Sequence, residues 1–70
     1  MNNIASERTR LGLTQTDLAQ RLEKSRKTVG DWEAENVAIP SDAVCTMAVL
    51  FNCSTDYLLG LSDRREGGRE

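Results

Sequence analysis

Histidine is absent from this 70-residue chain, proline occurs once, at Pro40, and the aromatic residues are limited to Trp32, Phe51 and Tyr57. Without histidine, the usual general base and a common metal ligand are missing. Cys45 and Cys53 are the only cysteines, too few to complete a four-ligand zinc site, and are expected to be free thiols packed as small residues. A glycine-rich phosphate loop and an evident pair of catalytic carboxylates are also lacking, and Ser25 and Ser54 read as helix caps. The chain is not expected to be an enzyme, and no cofactor or metal is implied. Its start, MNNIASERTR, does not have the basic-then-apolar layout of a signal peptide. The longest apolar run, AVCTMAVLF, falls far short of the roughly 20 residues that span a bilayer. A cytoplasmic protein without a membrane anchor is the expectation.

What is present suits one small helical domain. The apolar share of 39% and charged share of 29% fit a globule rather than a disordered chain. The net charge is −2, unfavourable by itself for a polyanionic partner, but the charge is unevenly spread. From Arg8 to Glu33 six bases face four acids, whereas from Ala34 onward three bases face six.

Apolar spacing and capping residues predict five helices. IASERTRL is capped by Asn3 and stops at Gly12, with Ile4, Arg8 and Leu11 on one face. Thr14, with Asp17 three residues on, opens a second helix in the manner of a capping box, and Leu18, Ala19 and Leu22 form its apolar stripe. Ser25 caps a third helix from Arg26 to about Glu35. Pro40 and Ser41 precede DAVCTMAVLF, with Val44, Met47, Ala48 and Phe51 inward and Asn52 at its end. Ser54 caps a short last helix carrying Tyr57 and Leu58. The folded domain is taken as residues 1–61. SDRREGGRE, residues 62–70, has nothing apolar to bury and reads as a disordered polar tail in which Arg64, Arg65 and Arg69 are solvated.

The third helix is charged against its own macrodipole. KSRKTVGDWE opens on cations and closes on acids, the reverse of the favoured order, at a cost of about 0.3–1 kcal/mol per exposed charge. Two short helices joined by a tight turn have the shape of a helix-turn-helix. Ala19 allows the close crossing, and Leu18, Leu22, Val29 and Trp32 make the shared seam. Lys27, Gly30, Asp31 and Ala34 then lie on the opposite face of helix three, with Arg26 at its flank. Gly30 costs about 1 kcal/mol against alanine; it is either a tolerated weak point or room for another backbone to approach. A positively polarised helix start with two outward cations suits phosphates and the guanine edge.

RTRLGLTQTDLAQRLEKSRKTVGDWE, with AVLFNCSTDYLLG behind it, resembles the Xre/Cro-type helix-turn-helix family of bacterial and phage repressors, over about residues 4–61. The resemblance implies an all-α, five-helix, lambda-repressor-like domain that binds near-palindromic double-stranded DNA operators as a homodimer, with the third helix in the major groove. By position, it implies that Gln15 touches DNA and that Arg26, Lys27 and Asp31 read bases. Thr14, Arg10, Lys24, Ser25 and Thr28 are the implied backbone-contact candidates, and Arg8 and Glu33 a buried ion pair joining helix one to helix three. Relatives usually have glycine where this chain has Glu23, often an apolar residue where it has Lys24, and often a basic loop where it has AENVAI. The expected function is sequence-specific transcriptional regulation, as a repressor acting by occlusion. Self-association is expected to use the domain itself, around YLLGL. The rival expectation is a protein-interaction module of the same shape, such as an antirepressor or accessory subunit, motivated by the acidic balance and the apolar VAI.

Overall fold

Local signals at the helix ends set the element order: α1 (Ile4–Arg10), α2 (Gln15–Leu22), α3 (Arg26–Glu33), α4 (Ser41–Phe51) and α5 (Thr55–Leu59). The computed structural model describes residues 1–65, and among these there is no strand. Among the described residues no helix is long and apolar enough to cross a membrane. The architecture is the expected all-α, five-helix one.

Three of the helix starts follow one device. Thr14 Oγ1 accepts the Asp17 N–H at 3.0 Å while Asp17 Oδ2 accepts the Thr14 N–H at 2.9 Å, a reciprocal capping box that satisfies two otherwise unpaired donors. The Thr14 backbone N–H holds the Asp17 carboxyl below the usual carboxylate range. Ser25 and Ser54 accept from Thr28 N and Tyr57 N in the same way. Asn3 departs from its expected role, because its side chain makes no cap bond to α1. Its ψ of 22° is far from the extended values of Thr14, Ser25 and Ser54, 155–170°, that aim a cap oxygen at the first turn. Instead, Asn3 Nδ2 donates to the Tyr57 carbonyl at 2.7 Å and its backbone N–H to Leu58 O at 2.9 Å, docking the start of α1 on α5. Asn2 Oδ1 takes the Ile4 N–H at 3.1 Å.

All five helices end alike. The N–H groups of Leu13, Lys24, Asn36, Cys53 and Leu61 reach back to the carbonyls of Arg8, Ala19, Asp31, Ala48 and Asp56, at 2.8–3.0 Å, the longer closing bond of a Schellman motif. Each motif needs a left-handed residue, and Gly12, Glu23, Glu35, Asn52 and Gly60 occupy these positions with φ between 56° and 83°. Glutamate at two of them carries strain of roughly 1–2 kcal/mol each. The motif at Glu35 closes α3 at Glu33, two residues before the expected end. Gly60 is required for a second reason: a Cβ there would overlap the Met1 carbonyl.

The core is a single cluster. Ile4, Leu18, Val29, Met47, Phe51 and Leu58 are inaccessible to solvent, with Trp32, Ala19, Val44 and Ala48 nearly so. Leu22 packs against this cluster from its edge, while Leu11 is exposed rather than sharing the face of Ile4.

Glu7 shares that core-facing side of α1, three residues on from Ile4, and is only 3% exposed. A buried carboxylate requires compensation, and two arginines supply it. Arg10 donates to Oε1 at 3.0 Å, and Arg65 binds both oxygens at 2.9 and 3.0 Å. Both guanidiniums also cap the Phe51 carbonyl at the end of α4. The Arg65 contact, with Arg10, holds Glu7 below the usual carboxylate range against the opposing effect of burial. Arg65 is therefore not solvated as expected. The Ser54 N–H donates to its carbonyl at 2.8 Å, so the folded part runs beyond residue 61. The remainder of the expected tail, residues 66–70 with Arg69, lies outside the described residues.

Candidate nucleic-acid interface

Close approach of α2 and α3 builds the candidate surface. Ala19 on α2 is only 2% exposed, a small side chain on the packed side of that helix. With Val29 and Trp32 turned into the core, the helical period puts Lys27 on the opposite side and Arg26 at the flank, and both are exposed.

A polar relay links the buried and exposed sides. Arg8 Nε donates to Glu33 Oε2 at 2.8 Å and its Nη1 to the Leu13 carbonyl at 2.8 Å. Glu33 Oε1 accepts from Gln15 Nε2 at 2.9 Å, and Gln15 Oε1 accepts from Arg26 Nη1 at 3.3 Å. The Arg8 and Glu33 side chains are only 17% and 10% exposed, so the pair is largely desolvated, and Glu33 points away from the α3 reading face. With Glu33 occupying its amide nitrogen, Gln15 has a set orientation and turns its oxygen toward Arg26. Gly30 lies beside this amide, where an added Cβ would sit 3.8 Å away in ordinary contact.

Lys27 projects outward but is not unshielded. Its side chain is 84% exposed, yet Nζ lies 3.0 Å from Asp31 Oδ2, one helical turn on. This bond holds the Asp31 carboxyl below its usual range, helped by the Asn36 side chain and opposed by burial. Of the two outward cations expected at the start of α3, Lys27 is therefore paired with a carboxylate and Arg26 rests on an amide.

Among the backbone-contact candidates, Thr14, Ser25 and Thr28 gather at the two helix starts. Ser25 Oγ and Thr28 Oγ1 lie 2.9 Å apart. Lys24 is exposed in the intervening turn. A shallow recess bounded by Gly12, Thr14, Gln15, Thr16 and Arg26 lies between the start of α2 and the Arg26 side chain. Thr16, which sequence reasoning passed over, contributes to its wall; a hydroxyl in the first turn of α2 was the available signal. Arg10 does not join the group, since its guanidinium is committed to Glu7 and the Phe51 carbonyl. The resemblance implied a backbone contact for Arg10, whereas its guanidinium, though partly exposed, is turned to the buried Glu7.

Beyond α3, AENVAI forms one wall of an apolar groove lined by Trp32, Val37, Ile39, Val44 and Leu59. Val37 is half exposed there, and no cation of this loop faces the groove.

A family model described as helix-turn-helix matches residues 4–58. The chain is 37% identical over 51 residues to the uncharacterized HTH-type transcriptional regulator YobD of Bacillus subtilis (strain 168), covering 73% of this chain and 46% of that protein, so it spans about half of the relative's length. No solved structure matches it.

Proposed function

Starting from the fact that this chain belongs to the Xre/Cro-type helix-turn-helix family, we propose that it binds double-stranded DNA sequence-specifically and regulates transcription, with the first turn of α3 in the major groove. The carrying observation is the outward start of α3, where Arg26 is buttressed by an amide that Glu33 and Arg8 fix from behind. Arginine donates a planar fork that matches guanine O6 and N7, and preorganisation lowers the entropic cost of holding that fork in place. Thr14, Thr16, Ser25, Lys24 and Thr28 would fix the helix pair on the phosphate backbone, where contacts position rather than specify.

Repression by occlusion, a near-palindromic operator and a homodimer complete the proposal. Two α3 helices about 34 Å apart would meet successive major grooves. Within YLLGL, Leu58 is buried and Leu61 is exposed, leaving Leu61 as the apolar residue of this segment that a second copy would cover. A cytoplasmic location accords with this function.

The test is binding of the purified chain to duplex DNA across a salt series. Log K should fall with log salt by about 0.9 per phosphate neutralised. Arg26→Ala should weaken operator binding by about 1–3 kcal/mol while leaving random DNA less affected. The groove beside Val37 supports a second reading, docking of a protein partner. Absence of duplex retention at low salt would favour that reading over the first.

A further inference from the structure

We propose that Lys27 and Asp31 form one coupled readout element that selects a G·C base pair, and that Asp31 sets specificity by suppressing contacts to random DNA. The inference rests on the DNA-binding reading above.

Lys27 Nζ and Asp31 Oδ2 stand 3.0 Å apart on the outward side of α3, offering a charged donor and a charged acceptor side by side. An unpaired ammonium at this place would bind any phosphate, since lysine acts as a point charge with no demand on geometry. With Asp31 beside it the pair has no net charge. Drawing Lys27 onto a phosphate would break the bond and bring the Asp31 carboxylate close to the anionic backbone. Random DNA gains little from this turn of the helix.

A G·C pair is different. Its major-groove edge carries the guanine N7 and O6 acceptors next to the cytosine N4 donor. The ammonium can serve the two acceptors while the carboxylate accepts from N4, and their own bond survives. An A·T pair separates its acceptors with the adenine N6 donor and adds the thymine methyl, so the ammonium meets one acceptor at a time and a methyl crowds the charged pair. The burial difference fits these roles. Asp31 is only 27% exposed, whereas Lys27 is 84% exposed and carries the long side chain that would adjust to the base.

The experiment uses the full chain and the variants Asp31→Ala, Asp31→Asn and Lys27→Ala, with folding verified by thermal melting. Each is measured by selection from a randomised duplex library and by binding to a random-sequence duplex across a salt series. The wild type should enrich G·C at a defined position, and Lys27→Ala and Asp31→Ala should each lose preference at that same position. Asp31→Ala should bind random duplex several-fold more tightly, with a salt slope steeper by about 0.9 as Lys27 becomes free for a phosphate. Asp31→Asn, which keeps an acceptor without the charge, should share the tighter random binding but retain part of the base preference. An unchanged preference and an unchanged random affinity in Asp31→Ala would overturn the inference while leaving DNA binding intact. Failure of every protein, wild type included, to retain duplex at low salt would overturn the underlying reading with it.

Discussion

Replacing Arg8 by alanine removes the guanidinium that binds both oxygens of Glu33 and the Leu13 carbonyl. Deleting one partner of a fully buried ion pair costs about 3–5 kcal/mol, because the remaining charge stays desolvated. Two features reduce that figure here. Glu33 keeps the Gln15 amide as a donor, and both side chains retain some solvent contact, at 17% and 10% exposure. The Leu13 carbonyl adds the loss of a charge-assisted bond. The expected destabilisation is about 2–3 kcal/mol. A domain of this size is held by roughly 4–10 kcal/mol in all, and its melting point should fall by roughly 10–20 °C. Urea denaturation followed by Trp32 fluorescence and by helical circular dichroism would measure the loss, since Trp32 is buried in α3 next to Glu33. The double variant Arg8→Ala/Glu33→Gln should recover about 1–2 kcal/mol relative to additivity, because no charge is then stranded. A loss under about 0.5 kcal/mol for the single variant, or strict additivity in the cycle, would refute the reasoning.

Two further substitutions probe the backbone and the buried acid. Glu23→Gly should raise stability by about 0.5–1 kcal/mol, since relief of left-handed strain exceeds the added entropy of the unfolded chain; an unchanged or lower denaturation midpoint would contradict the strain assigned to φ 58°. Arg65 and Arg10 depress the folded pKa of Glu7, so its contribution is fully present above the unfolded glutamate value, near 4.3, and is lost as pH falls through the lower folded value. Glu7→Gln should therefore flatten the acid limb of the stability profile, and a limb parallel to that of the wild type would exclude Glu7 as its source.

The helix ends were readable in the chain itself because capping is a local interaction. Thr14 with Asp17, Ser25 and Ser54 each reach a backbone N–H within three residues. The inward face was readable for a related reason: a helix repeats every 3.6 residues, so Leu18, Val29, Trp32, Met47 and Phe51 could be assigned to one side from spacing. Asn3 shows where this fails. Its amide had a local use as a cap and a distant one on Tyr57, and only the packing of α5 against α1 chose between them.

What the amino-acid order determined by itself was the set of helices, their apolar faces and the placement of Arg26 and Lys27 at the start of α3. Tertiary structure decided how the charges are spent. Glu7 and Arg65 are 58 residues apart in the chain yet joined by two hydrogen bonds, so an arginine read as solvated tail closes over a buried carboxylate. Glu7 and the Phe51 carbonyl likewise hold the Arg10 guanidinium, while Glu33 sets Gln15 and Asp31 restrains Lys27. Side-chain periodicity is a property of neighbouring residues, but the partner of a desolvated charge is whichever opposite charge the completed fold brings within about 3 Å, and no local pattern encodes that.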